Sequence, residues 1–293
     1  MPDRDLVRLH HGAASADLAL TGAEPVSWIV DGRELIWHGD PAHWAGQAPI
    51  LFPVVGASAG GIVRVGGRAY PMAQHGFARR LPFTLVEQTG DRVRLVLEES
   101  AETLAAYPFR FRLEATAQLE ARALHLAFAV TNTGGDELPY SLGFHPAFPW
   151  PFDSGAREAY AVAFEAEETG AIPDVAPGGL LRRGDRRLAL EGNRLALDPA
   201  LFTEALCFLD ARSRRLRFLA PGGSGIAMET QGFRHLALWT KPDAPFLSLE
   251  AWTGHADWEG ASGELRERAS ITLLGPGETA QHRVRLAWEP TTL

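Results

Sequence analysis

The chain predicts an all-β protein, a single large antiparallel β-sandwich. Three observations carry this. Apolar residues recur at every second position over long stretches, Gly- and Asn-rich turn signals separate those stretches, and apolar spacing at helical period is nearly absent.

In chain order, Val26 to Val30 is the first strand candidate. IVRVGGRAY at 62–70 reads as a hairpin closed by Gly66-Gly67, a pair that tolerates the positive φ of a tight turn. Phe83 and Leu85 share a face by alternation and continue into Val93, Leu95 and Leu97 across Thr89-Gly90-Asp91. The clearest pair runs from Phe109 to Val130: Phe109, Phe111, Leu113, Ala115, Ala117 and Leu119 are followed by Leu124, Leu126, Phe128 and Val130. GAIPDVAPGG at 170–179 reads as a surface excursion. In RRLALEGNRLAL, Glu191-Gly192-Asn193 separates two short strands, and Pro199 to Leu206 suggests a short helix. Strands are then expected at Leu216 to Leu219, Leu236 to Trp239, Phe246 to Ala251, Ile271 to Leu274 and Val284 to Trp288, with at most a turn at Gly263 to Arg268. No fixed-period repeat appears, which disfavours a propeller or solenoid.

The 293 residues fit one domain over 1–293, because large sandwiches hold a single core at this size. A formal net charge of −8 without a concentrated basic stretch argues against nucleic acid. No segment approaches the roughly 18 apolar residues of a membrane span. The lone Cys207 cannot form an internal disulfide, and MPDRDLVRLHHG lacks the charged-then-apolar pattern of a secretory signal, so the chain reads as cytoplasmic. Its oligomeric state, monomer or homodimer, stays open.

Three segments break the alternation: QHGFAR at 74–79, GFHPAFPWP at 143–151 and SLEAWTGHAD at 248–257. His145 sits in a Gly/Pro-punctuated, aromatic-rich turn, and Glu250 ends an apolar strand on a carboxylate that shares a face with Ser248 and Trp252. An imidazole and a carboxylate can together move two protons on a substrate without metal or cofactor. Singly, His75, Arg79 and His145 also admit structural roles in turns. Glu250 is harder to place that way, since a carboxylate on such a strand is seldom buried without a partner or a task.

With PILFPVVG at 49–56, HGFAR at 75–79, LGFHPAF at 142–148, LWT at 238–240 and LEAW at 249–252, the chain resembles the aldose 1-epimerases, or galactose mutarotase-like proteins, and among them a bacterial branch carrying HGFAR. The likeness extends from about residue 25 to the end. It implies a β-supersandwich with a sugar lying in a cleft across one sheet, and interconversion of α and β anomers by ring opening and closure. His145 would correspond to the acid that protonates the ring oxygen and Glu250 to the base that takes the anomeric hydroxyl proton. His75 and Arg79 would hydrogen-bond the ring-oxygen region and hydroxyls. Trp239, Trp252 and Phe77 are candidates to pack the C–H face of the sugar, with core packing as the alternative. The family commonly has Pro where this chain has Ala251, which predicts a less restricted Glu250. With ordinary values of about 4.3 for Glu and about 6.5 for His, the pair expects a bell-shaped pH profile, widened by mutual attraction.

Two rival readings remain. Hexose-6-phosphate 1-epimerases share HGFAR and recognise phosphate with paired arginines, for which Arg79-Arg80, Arg182-Arg183 or Arg186-Arg187 are candidates. Against this, alternation along an extended segment turns Arg79 and Arg80 apart. The other rival is a sugar-binding or sensor protein without chemistry, disfavoured by the presence of both acid and base. No cofactor is implied. His10-His11, His38, His43 and His255 lack metal-ligand spacing, and GASAGG at 56–61 lacks the Lys-Ser/Thr of a phosphate loop. His255 and Asp257 are equally compatible with a cleft rim or a solvated loop, and Cys207 reads as a small core residue.

Overall fold

The computed structural model describes residues 5–291; the other residues spanned by the single-domain expectation lie outside it. Its framework is two antiparallel sheets face to face. The larger has nine strands in the order Arg194–Ala196, Ala161–Phe164, Arg215–Leu219, Gly225–Gln231, Thr279–Glu289, Ala123–Asn132, Phe111–Leu119, Arg92–Glu98 and Thr84–Gln88. The smaller, of six strands, runs Leu206–Phe208, His235–Trp239, Phe246–Trp252, Gly143–Phe144 and Ile50–Leu51, with Ala147–Pro149 also paired to Phe246–Trp252. Leu6–His11, Ala14–Ala19, Glu24–Val30 and Arg33–Glu34 form a four-stranded sheet.

Alternation explains the large sheet. Phe111, Leu113, Ala115, Ala117 and Leu119 point inward while Arg112, Glu114 and Gln118 point out, and each inward residue faces its counterpart across the ladder, Leu113 to Val130 and Ala117 to Leu126. One apolar cluster draws residues from Val7 to Trp288 and includes Leu247, Leu249 and Ala251 from the small sheet. Burying such a side chain contributes about 1.5–3 kcal/mol. The small sheet therefore turns the odd-numbered back of Phe246–Trp252 to the core and leaves Ser248, Glu250 and Trp252 on its other face.

Several expectations require correction. Leu85 is exposed although Phe83 is buried and although it pairs in register with buried Leu95: Thr84–Gln88 is an edge strand with water on both sides, and a bulge after Leu85 shifts the register of the rest. Residues 187–190 form no strand; Arg194–Ala196 pairs instead with Ala161–Phe164, leaving a single bridge from Glu191 to Arg194. The expected helix at Pro199 to Leu206 shrinks to a 3-10 turn, Pro199–Leu201, capped by Asp198, before Leu206–Phe208 enters the small sheet. The sequence reading missed the one α-helix among the described residues, Ala101–Ala106, capped reciprocally by Ser100 and Thr103. The segment at 170–179 lies at the surface, with Ala171, Pro177 and Gly178 exposed, but it is ordered as part of a hairpin. Asp174–Val175 pairs with Leu181–Arg182, Ile172 and Ala176 are buried, and the hairpin lies over the front of the small sheet. No helix among the described residues is long and apolar enough to cross a membrane.

Candidate active site

Strand register makes the central contact. Gly143 pairs with Trp252 and Phe144 with Ala251, and the same register resumes without slip at Ala147 opposite Ser248, which puts His145 directly across from Glu250. Directly opposed residues project from the same face. Pro146 interrupts the ladder because it has no N–H to donate, yet its carbonyl accepts from the Leu249 N–H at 3.1 Å, so the strands stay together through the break. The His145 N–H donates to the Pro49 carbonyl at 3.1 Å, fixing the histidine from its other side. Ala251, opposed by Phe144 and by Leu236, is held in mid-sheet, so its replacement of Pro does not loosen Glu250.

His145 Nε2 lies 3.1 Å from Glu250 Oε1. The other imidazole nitrogen, Nδ1, is 2.9 Å from Ser248 Oγ, whose hydroxyl is 2.8 Å from the Pro146 carbonyl. A carbonyl only accepts, so the serine donates to Pro146 and receives the Nδ1–H. Nε2 is therefore the nitrogen that exchanges a proton with Glu250. The second carboxylate oxygen, Oε2, accepts from Trp252 Nε1 at 2.9 Å. Burial lowers His145 and raises Glu250, each disfavouring its own charged form. Desolvation thus outweighs the mutual attraction expected from the sequence. Whether written as imidazolium–carboxylate or imidazole–carboxylic acid, the pair holds one shared proton.

The pair forms the floor of a cleft of about 360 Å³, a size suited to a small ligand. Of the residues singled out from the sequence, His145, Glu250, His75, Arg79, Trp239 and Trp252 line it. His75 stands at φ +66° and is clamped twice by Gly56: its N–H donates to the Gly56 carbonyl at 3.0 Å, and its Nδ1 accepts the Gly56 N–H at 3.0 Å. Nε2 is left as the protonated nitrogen, and burial holds the ring neutral. Gly76 must be glycine, since a Cβ there would lie 2.2 Å from the Phe52 carbonyl oxygen. Arg79 lies on the 3-10 turn Ala78–Arg80, half-buried, with one guanidinium N–H donated to the Gln74 carbonyl at 3.0 Å.

Sequence reasoning missed Trp44. Its ring is tilted 35° to that of His145 with centroids 5.0 Å apart, while Trp239 meets His145 edge-on at 5.4 Å. Trp44 comes from an irregular loop, where no periodicity marks an inward residue; its ring packs so close to Gly46 that a Cβ there would strike it. Gln74, Glu204 and Lys241 at the mouth and Val175, Gly179 and Leu181 from the 174–182 hairpin also line the cleft without having been singled out as site residues.

A family model for aldose 1-epimerase matches residues 5–287. The chain belongs to the aldose 1-epimerase family. Protein LacX (chromosomal) of Lactococcus lactis is 34% identical over 264 residues, covering 86% of this chain and 88% of that protein. A galactose mutarotase-like protein from Lactobacillus casei superposes with a TM-score of 0.91 at 27% identity, covering 97% of this chain and 100% of its own. A galactose mutarotase related enzyme from Lactobacillus acidophilus gives 0.91 at 25% identity, with 98% of each chain covered. The architecture is that galactose mutarotase-like fold.

Within this aldose 1-epimerase family member, other candidates fall elsewhere. Phe77 packs with Phe52, Tyr107 and Phe111 in the core and does not line the cleft. His255 and Asp257 are neither rim nor solvated loop; both are buried behind Ala256, which does line the cleft. Cys207 is buried yet faces the cleft, two strands from Glu250 with Ala237 between them, and burial pushes its thiol up to about 12, away from the thiolate. Arg80 is exposed and, unlike Arg79, does not line the cleft. The reason is the 3-10 turn and not the extended alternation expected. Among the described residues, no cluster of His, Cys, Asp and Glu could hold a metal ion.

Proposed function

We propose that this protein is an aldose 1-epimerase acting on a free aldose, with His145 and Glu250 as its acid/base pair. The observation that carries the reading is the 3.1 Å contact between His145 Nε2 and Glu250 Oε1 on the floor of an open cleft. The ring oxygen and the anomeric hydroxyl of a pyranose are bonded to the same carbon. Neighbouring acid and base groups can therefore serve both oxygens at once, side by side, without bracketing the whole sugar. His145 gives its Nε2 proton to the ring oxygen as the bond from that oxygen to the anomeric carbon breaks. Glu250 takes the hydroxyl proton as the carbonyl forms. Rotation of the freed aldehyde and the reverse transfers close the ring on its other face, and the pair recovers its starting proton.

His75, through Nε2–H, and Arg79 donate to sugar oxygens, while Trp239 and Trp252 offer flat apolar surface to ring C–H groups. Trp252 also holds the Glu250 carboxylate. A single cleft-lining arginine from the Arg79-Arg80 pair supports a free sugar over its 6-phosphate. We place the activity in the cytoplasm and in one domain spanning 1–293.

Polarimetry of freshly dissolved α-D-glucose and α-D-galactose tests the reading. Glu250→Gln and His145→Ala should each lower kcat/KM by about 10²–10⁴. Activity of both variants within a few-fold of wild type rejects the roles, binding without acceleration by the wild type favours a sensor, and faster turnover of the 6-phosphate esters favours the phosphate rival.

A further inference from the structure

Behind the cleft wall lies a buried ion pair that the proton transfers do not use. Arg268 Nε is 3.4 Å from Asp257 Oδ1, and the two side chains are 2% and 5% exposed. The guanidinium reaches several segments. It donates to the carbonyls of Val55 at 2.7 Å and Ala57 at 3.1 Å, to Ser58 Oγ at 2.8 Å, and to the His255 carbonyl at 3.0 and 3.1 Å. Asp257 Oδ2 accepts the Ala59 N–H at 2.9 Å, its backbone N–H donates to Ala57, and its carbonyl receives the Leu181 N–H at 2.8 Å.

These contacts converge on one residue. Val55 and Ala57 flank Gly56, and one guanidinium nitrogen holds both their carbonyls. Gly56 in turn clamps His75 through its N–H and its carbonyl. Gly56 stands at φ +74° with its Cα against Ala256, where a Cβ would approach within 2.5 Å, so the turn is held closely from both sides. Leu181, bonded to the Asp257 main-chain carbonyl, ties the segment that carries Asp257 to the hairpin that supplies Val175 and Gly179 to the cleft.

We propose that Arg268 and Asp257 are positioning residues for sugar recognition: by pinning the turn around Gly56 they fix His75 with Nδ1 as acceptor and Nε2–H toward the sugar, and they set the 174–182 hairpin against the cleft. The inference rests on the proposed function for its kinetic arm but not for its structural arm. Lysine at 268 keeps the charge and loses the planar fork, so it cannot span Val55, Ala57 and Ser58 together.

The test uses the full chain with Arg268→Lys, Asp257→Asn and, as a control, the core variant Val130→Ala, compared at matched folded fraction. In Arg268→Lys, KM for D-galactose should rise roughly tenfold, the loss of about one hydrogen bond to the sugar, with kcat within about threefold. Asp257→Asn should move the same way by a smaller factor. Nitrogen-15 NMR should show the His75 ring leaving its single tautomer in both, and tryptophan fluorescence should report weakened D-galactose binding. Val130→Ala should leave tautomer and affinity unchanged. A wild-type tautomer and affinity in Arg268→Lys and Asp257→Asn overturn the proposal, as does an equal loss in Val130→Ala. A wild type that binds galactose without accelerating mutarotation, with tautomer and affinity still responding to Arg268→Lys, sinks the epimerase reading and leaves this one standing.

Discussion

The two large sheets use the same secondary structure for opposite ends. On the nine-stranded sheet, strands such as Phe111–Leu119 alternate buried residues with more exposed ones, and the outer face carries ion pairs such as Arg112 with Glu98 and Glu114, Arg94 with Glu114, and Arg217 with Glu289. Those charges are solvated, and each pair contributes about 0–1 kcal/mol. On the six-stranded sheet, all of Phe246–Trp252 is buried, its back by the core and its front by the cleft wall. A carboxylate there is desolvated and acquires altered acidity. The contrast teaches that a polar residue on a strand with no water-facing side needs an explanation, whereas one on an alternating strand does not.

The sharpest way to break the contrast is titration of activity. The shared proton leaves as pH rises past the raised value of Glu250, about 8, leaving a base without an acid; a second proton enters only near the lowered value of His145, about 3. Initial rates should stay flat through neutrality and drop tenfold per pH unit above about 8; an alkaline limb at the ordinary imidazole value of about 6.5 would contradict the desolvation argument. Next in size, Ser248→Ala removes the acceptor that orients the imidazole and should lower kcat roughly tenfold with little change in KM. Stability should respond more modestly. A carboxyl whose folded pKa is raised contributes stability below its unfolded value that is lost as pH rises through about 8. Calorimetry at pH 9 should therefore find Glu250→Gln more stable than wild type by roughly 3 °C or more, an advantage that shrinks toward pH 5. The smallest effect belongs to the other sheet: Glu114→Gln should change unfolding free energy by less than about 0.5 kcal/mol and leave mutarotation intact.

Legibility followed the range of the contacts. Hairpins whose strands neighbour each other in sequence, such as Phe111–Leu119 with Ala123–Asn132 and the Gly66-Gly67 turn, write their pairing into local alternation and were readable. Arg194–Ala196 was misread because its partner, Ala161–Phe164, lies some thirty residues away and no local pattern records the choice. The helix at Ala101–Ala106 was too short for a periodic stripe, and Thr103 takes the capping-box place where Glu or Gln is the usual signal. At the cleft, His145 and Glu250 stood out as chemistry out of keeping with their surroundings. Their adjacency is a matter of register between distant strands, which alternation does not record. Trp44, Glu204 and the 174–182 hairpin reach the cleft by tertiary packing of irregular segments.

The hydroxyl of Ser248 ends on the Pro146 carbonyl, an atom with no hydrogen to pass on. The imidazole is thus closed at its rear, and its traffic runs solely through the edge facing Glu250. On the proposed reading, the proton that the pair gives up as a ring opens is the one it recovers as the ring closes, with no relay through Ser248.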